Sequence, residues 1–157
     1  MSQIVEGKKA KDFSLPASTG GSIGLKDFRG KKHVVLYFYP KDMTPGCTTE
    51  ACAFRDLRQQ FDKAGAVILG VSTDDLDSHA QFVSKHALNF PLLSDKGGKV
   101  ATAYGVYKEK SMAGKKYMGI ERTTLVIDKE GTIRKVYPQV KVEEHADEVL
   151  AFLRSLG

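Results

Sequence analysis

Hydrophobic residues fall in blocks along the chain, and the blocks change period. Val34 to Tyr39 is apolar without alternation, the pattern of a strand buried on both faces in a parallel arrangement, and Ala66 to Val71 repeats it. Between them, Pro45 to Lys63 carries Phe54, Leu57 and Phe61 at helical spacing and stops before Gly65. Leu76 to Leu88 is predicted to be a second helix with Ala80, Val83 and Ala87 on one side. Phe90 to Leu93 is a short strand that Pro91 pushes towards a sheet edge. A short helix is expected at Lys99–Tyr104.

Ahead of the first long strand, Asp12–Leu15 and Ser22–Leu25 flank Thr19-Gly20-Gly21 and predict a small hairpin. Leu25 to Phe28 reads as a helical turn ending at Gly30. Residues 105–119 have no clear period, mix lysine and glycine with Tyr107, Met112, Tyr117 and Met118, and are expected to form a loop. Thr123–Ile127 and Thr132–Tyr137 flank Asp128-Lys-Glu-Gly131, a hairpin signature. The last helix, Val142 to Leu156, places Ala146, Val149, Leu150 and Leu153 on one face. Strands alternating with helices, closed by a hairpin and a helix, predict an α/β protein with a central mixed β-sheet flanked by helices. No linker, repeat or low-complexity tract divides residues 1–157, so one domain is expected.

Composition narrows the class. Apolar residues make up 41% and charged residues 27%, as in an ordinary soluble globular chain. No apolar run approaches the ~20 residues that span a bilayer. Met1-Ser-Gln-Ile-Val-Glu lacks the apolar core of a signal peptide, which makes a cytoplasmic location the expectation. The net charge of +5 comes from scattered lysines. Gly-Lys-Lys recurs at 7–9, 30–32 and 114–116 in expected turns, a solvated surface rather than a nucleic-acid footprint.

Two cysteines, Cys47 and Cys52, are too few for a disulfide framework. A close pair in a reducing compartment points to catalysis or redox sensing. Thr44 suits an N-cap and Pro45 the first helical position, which puts Cys47 in the first turn. There the unpaired backbone N–H groups and the helix dipole favour the thiolate, the nucleophilic form. Cys47 shares a helix face with Phe54 and should point to the sheet. Cys52 lies about 140° around the axis and about 7.5 Å along it, facing away. A disulfide needs converging side chains, so the two either never bond or bond only after the first turns unwind.

Other signals are weak. The spacing is Cys-x4-Cys, not the Cys-x-x-Cys of a dithiol oxidoreductase. The four histidines, His79 and His86 among them, are expected at the surface and complete no zinc set with the cysteines. There is no phosphate-binding glycine loop. Asp74, Asp75 and Asp77 read as a helix-start cluster.

Pro40-x-x-x-Thr44-x-x-Cys47 resembles the active-site motif of peroxiredoxins. The run Tyr39-Pro-Lys-Asp-Met-Thr-Pro-Gly-Cys-Thr-Thr-Glu-Ala-Cys-Ala-Phe-Arg-Asp56 is similar to the peroxiredoxin Q, or bacterioferritin comigratory protein, subfamily, as is Tyr117-Met-Gly-Ile-Glu-Arg-Thr-Thr124. The likeness runs from Ala10 to the last helix. Met43 departs from the polar or acidic residue of many relatives. The resemblance implies a thioredoxin-like fold with an N-terminal extension. It implies a thiol peroxidase without metal or organic cofactor, acting as a monomer on hydroperoxides and re-reduced by thioredoxin or a similar dithiol.

By the same resemblance Cys47 is the peroxidatic cysteine, and Cys52 resolves its sulfenic acid as an intrachain disulfide. Thr44 binds the peroxide through its hydroxyl, Pro40 shields the thiolate from water, and Arg122 holds thiolate and peroxide oxygen. Glu50, one turn beyond Cys47, either pairs with Arg122 or faces solvent. The competing readings are a redox-sensing thiol switch and a general dithiol-disulfide oxidoreductase.

Overall fold

A computed structural model describes residues 4–156. At its centre is a five-stranded mixed sheet in the order β5-β4-β3-β8-β9. The strands β3 (His33–Phe38), β4 (Ala66–Ser72) and β5 (Leu92–Ser94) run parallel, while β8 (Thr123–Ile127) and β9 (Ile133–Tyr137) pair antiparallel beyond β3. The uninterrupted apolar run of β3 is explained by its place in the middle. Val34, Leu36 and Phe38 enter one apolar layer, and Val35 and Tyr37 enter the other, which Tyr39 extends.

Helices α1 (Pro45–Lys63) and α4 (His145–Ser155) cover the face that carries Tyr37. Helix α2 (Leu76–His86) adds Phe82 to that layer. The opposite face is covered by α3 (Lys99–Ala103) and by the N-terminal hairpin of β1 (Ser14–Pro16) and β2 (Ser22–Gly24). A 3-10 turn at Leu25–Asp27 follows β2, as the sequence predicts. Gly70 in β4 makes room for the ring of Tyr37. A methyl group there would lie 2.8 Å from Tyr37 Cζ and 2.9 Å from Leu92 Cδ2. Among the described residues, no helix is long and apolar enough to cross a membrane.

Three expectations are corrected. Residues 105–119 are not an unstructured loop. β6 (Tyr107–Met112) and β7 (Lys115–Ile120) form a hairpin joined by Ala113 and Gly114, both at positive φ (52° and 81°). Most of its residues are exposed, so no apolar alternation marks it in the sequence. The buried face of α2 is His79 and Phe82, with Ala80 exposed. The histidines are also not a surface set. His79 is 0% and His145 4% exposed, while His33 and His86 are half-buried. Each buried ring satisfies its polar atoms locally, which lets a polar residue occupy an apolar stripe. His145 Nε2 lies 2.8 Å from Thr124 Oγ1.

Candidate active site

The site lies at the carboxyl end of β3, where the chain turns at residues 40–44 and enters α1. Thr44 stands at the N-cap position with extended backbone (φ −78°, ψ 154°), and Pro45 begins the helix. Thr48 N–H donates to the Thr44 carbonyl oxygen at 2.8 Å. The Thr44 hydroxyl does not cap the helix, as the sequence suggests. It donates backwards to the Lys41 carbonyl at 2.9 Å and closes the turn. The free N–H groups of the first turn remain available to a negative charge.

Cys47 sits in that first turn and is 1% exposed. With Glu50, Ala51 and Phe54 it makes the buried stripe of α1 at helical spacing. Arg122, in the link between β7 and β8, approaches from the facing side. Its Nη2 donates to Cys47 Sγ at 3.2 Å, and its Nη1 donates to Glu50 Oε1 at 2.6 Å. The backbone on both sides of Arg122 is tied. Glu121 N–H donates to Val106, and Val140 N–H donates to Arg122 itself. Gly46 lets the guanidinium come this close, because a methyl group there would lie 3.2 Å from Nη2.

Glu50 is the residue that sequence reasoning left undecided between solvent and Arg122. It is 1% exposed, and its Oε2 has no hydrogen-bond partner among the described residues. Burial raises its carboxyl to about 7, against the pull of the Arg122 charge and hydrogen bond. Burial alone would lower Arg122, but Glu50 and Cys47 together raise it, so the guanidinium stays charged. The signal that could have found Glu50 was its spacing, three residues after Cys47 and four before Phe54, on the apolar stripe.

The sequence-predicted residues are thus partly assembled. Cys47 and Arg122 meet, and Thr44 stands one turn before the sulfur. Pro40, half-buried, ends the run from β3. Cys52 does not join them. It is a free, half-buried thiol, as Cys47 is a free buried one, and α1 is unbroken between the two. Arg55 Nη1 reaches Cys52 Sγ at 3.5 Å and the carbonyl oxygen of His86, the last residue of α2, at 2.7 Å.

A thiol at a helix N-terminus, capped by a guanidinium and lying beside a turn rich in hydrogen-bonding groups, suits nucleophilic attack on a small electrophile. A cavity of about 700 Å³ lies elsewhere, between the N-terminal hairpin and α3. It is lined by Leu15, Leu76, Val100 and Tyr104 but by none of Pro40, Thr44, Cys47 or Arg122.

Comparison with known proteins gives this geometry its class. The model of the AhpC/TSA family matches residues 6–136, and the chain belongs to that family. Within it the chain falls with the peroxiredoxins of the Bcp, or peroxiredoxin Q, group, which are thiol peroxidases. It is 51% identical over 151 residues to peroxiredoxin Bcp of Bacillus subtilis, covering 96% of each chain. It is also similar to the solved bacterioferritin comigratory protein of Xanthomonas campestris, studied for its alkyl peroxide reduction activity. That likeness has 46% identity and a TM-score of 0.86, covering 92% of this chain and 91% of the other. A Xylella fastidiosa PrxQ variant superposes with a TM-score of 0.93 at 38% identity, covering 99% of both. These neighbours place the sheet and its helices in the thioredoxin-like fold.

Proposed function

We propose that this peroxiredoxin reduces hydrogen peroxide and organic hydroperoxides, with Cys47 as the attacking thiolate. The contact that carries the reading is Arg122 Nη2 on Cys47 Sγ at 3.2 Å, in the first turn of α1. Alkyl peroxide reduction by the Xanthomonas campestris relative supports the organic substrates. The sulfur attacks the hydroxyl oxygen of ROOH, an S–O bond forms and the O–O bond breaks. The leaving alkoxide takes up a proton and departs as alcohol, or as water from hydrogen peroxide, leaving Cys47 as a sulfenic acid.

Negative charge moves from sulfur to the leaving oxygen in this step. A fixed guanidinium beside both atoms stabilises the transition state more than the ground state. The Thr44 hydroxyl donates its hydrogen bond to the Lys41 backbone carbonyl, so its lone pairs can accept from the hydroperoxide O–H. Pro40 restricts water at the strand end.

Cys52 then attacks the sulfenic sulfur. An S–S bond forms, water leaves, and a thioredoxin-like dithiol reduces the disulfide. The intact helix keeps the two sulfurs apart, so this step requires the first turns of α1 to unwind. The chain acts as one domain and as a monomer in the reducing cytoplasm, where such a dithiol is at hand.

The test is NADPH consumption with thioredoxin, its reductase and hydroperoxide. Turnover is expected for the native chain and its abolition for Cys47→Ser. Full activity in Cys47→Ser would refute the mechanism. Reaction with hydroperoxide but no cycling with any dithiol would favour a thiol switch.

A further inference from the structure

Asp42 lies in the turn between β3 and α1, two residues before Thr44, and is buried at 6% exposure. Its carboxylate accepts three hydrogen bonds. Tyr39 Oη donates to Oδ1 at 2.5 Å, Ser78 Oγ donates to Oδ2 at 2.8 Å, and His79 Nδ1 lies 2.7 Å from Oδ2. Its backbone N–H donates to Asp74 Oδ2 at 2.7 Å. The end of β3, the segment after β4 and the first turn of α2 all converge on this one turn residue. Next to it, Met43 has φ 64°, in the left-handed region that disfavours a residue with a Cβ. Strain of that kind persists only where the surroundings hold it on both sides. Here the Asp42 anchor holds one side and the start of α1 the other.

The key to the anchor is His79, which is 0% exposed. Its Nδ1 faces the Asp42 carboxylate, and its Nε2 faces the carbonyl oxygen of Leu93 in β5 at 2.9 Å. A neutral imidazole has one N–H and one lone pair, so either tautomer would aim a lone pair at an acceptor. The imidazolium donates to both. Burial alone would push the ring towards neutrality. The Asp42 hydrogen bond and charge, the Leu93 carbonyl and the charge of Asp74 outweigh it and raise the His79 pKa. The other titratable group against the ring is Tyr39, just beyond β3, its centroid 6.5 Å away. β5 offers the Leu93 carbonyl, and α2 offers the neutral Ser78 hydroxyl, which also bonds Asp42.

We propose that the buried His79–Asp42 ion pair positions the peroxide-binding turn, holding Asp42 and strained Met43 so that Thr44 stands correctly beside Cys47. His79 touches no reacting atom and acts through Asp42. Its rate effect rests on the peroxidase reading, whereas its protonation state rests on geometry alone. The pair is intact below the raised pKa of His79 and is lost as pH rises through it. A neutral ring then sets a lone pair against an acceptor and releases the turn. Peroxide reactivity should therefore decline as pH rises through the raised pKa of His79.

The first readout is long-range proton–nitrogen correlation on the reduced, 15N-labelled native protein. Both His79 ring nitrogens are expected to carry protons at neutral pH, and a neutral imidazole pattern would overturn the ion pair. The second is the rate of Cys47 oxidation by tert-butyl hydroperoxide from neutral to alkaline pH, with Asp42→Asn and His79→Gln beside the native chain. Each variant is expected to react about tenfold more slowly at neutral pH, and His79→Gln to lose the alkaline decline. A native profile without that decline, or a folded His79→Gln with native rate and profile, would overturn the positioning role. If Cys47 does not react with hydroperoxide at all, the peroxidase reading and the positioning role fall together, and the ring-nitrogen signals still decide whether the pair exists.

Discussion

Arg122 Nη1 stands 2.6 Å from Glu50 Oε1, and this contact turns the other guanidinium nitrogen onto the sulfur of Cys47. Glu50 is therefore both a brace for Arg122 and a competitor for its charge. Its carboxyl is raised from 4.5 to about 7 in the folded chain. The stabilisation linked to its bound proton is fully present below about 4.5 and is lost as pH rises through about 7, on the order of 3 kcal/mol at most. The native thermal midpoint should fall by several degrees across that window. Glu50→Gln keeps an acceptor for Arg122 and cannot ionise, so this part of the pH dependence should disappear. Calorimetry of both proteins over the window checks it.

Gly46→Ala should separate stability from activity. Alanine is the better helix former by about 1 kcal/mol, and the backbone at Gly46 is not in the left-handed region. Yet the new methyl would lie 3.2 Å from Arg122 Nη2 and push it away from Cys47. The variant should melt no lower than the native chain and react with hydroperoxide at least about tenfold more slowly. Stopped-flow oxidation and thermal melts on one preparation give both numbers.

Much of this site could be read from the residue order, for physical reasons that differ by residue. Val34–Tyr39 lies in mid-sheet, so both faces demand apolar side chains and the run is continuous. Thr44-Pro45 starts the helix because Pro45 has no N–H to lose there. The long motif around Cys47 carried the class. Glu50 and His79 were harder, because both are polar residues on buried faces and their partners, Arg122 and Asp42, are distant in sequence. Only the fold brings these pairs together. The Thr44 hydroxyl was misread because the turn at Lys41 outcompetes the helix for its proton. The β6–β7 hairpin was hidden because it buries too little of itself to impose a period.

Cys52→Ser should consume about one hydroperoxide per chain and then stall or over-oxidise, as no second thiol can trap the sulfenic acid. Titration against hydroperoxide with intact-mass readout checks this. Undiminished thioredoxin-linked cycling would remove Cys52 as the resolver. In the native chain, amide exchange across residues 45–54 should be much faster in the oxidised form than in the reduced form. Equal protection in both states would refute the unwinding step.

Tyr37→Phe should stabilise the fold by about 1 kcal/mol. The Tyr37 hydroxyl is buried without a hydrogen-bond partner among the described residues, which is costly. Its ring stacks on Phe54 with centroids 4.9 Å apart, a contact that phenylalanine keeps. Chemical denaturation measures the gain. A drop in peroxide reactivity instead would show that the hydroxyl serves the site.

The backbone of Arg122 is tied on both sides to loop residues that take no part in α1, while Cys47 rides on the turns that would have to open for it to bond Cys52. Disulfide formation would thus carry the sulfur off and leave the guanidinium behind. A chain in that form would have no assembled peroxide site at all. Peroxide arriving then would meet a dismantled catalyst and would have to wait until a dithiol had rebuilt the helix. The supply of reductant, rather than the abundance of peroxide, would set the ceiling on flux, and each chain would gate its own next turnover.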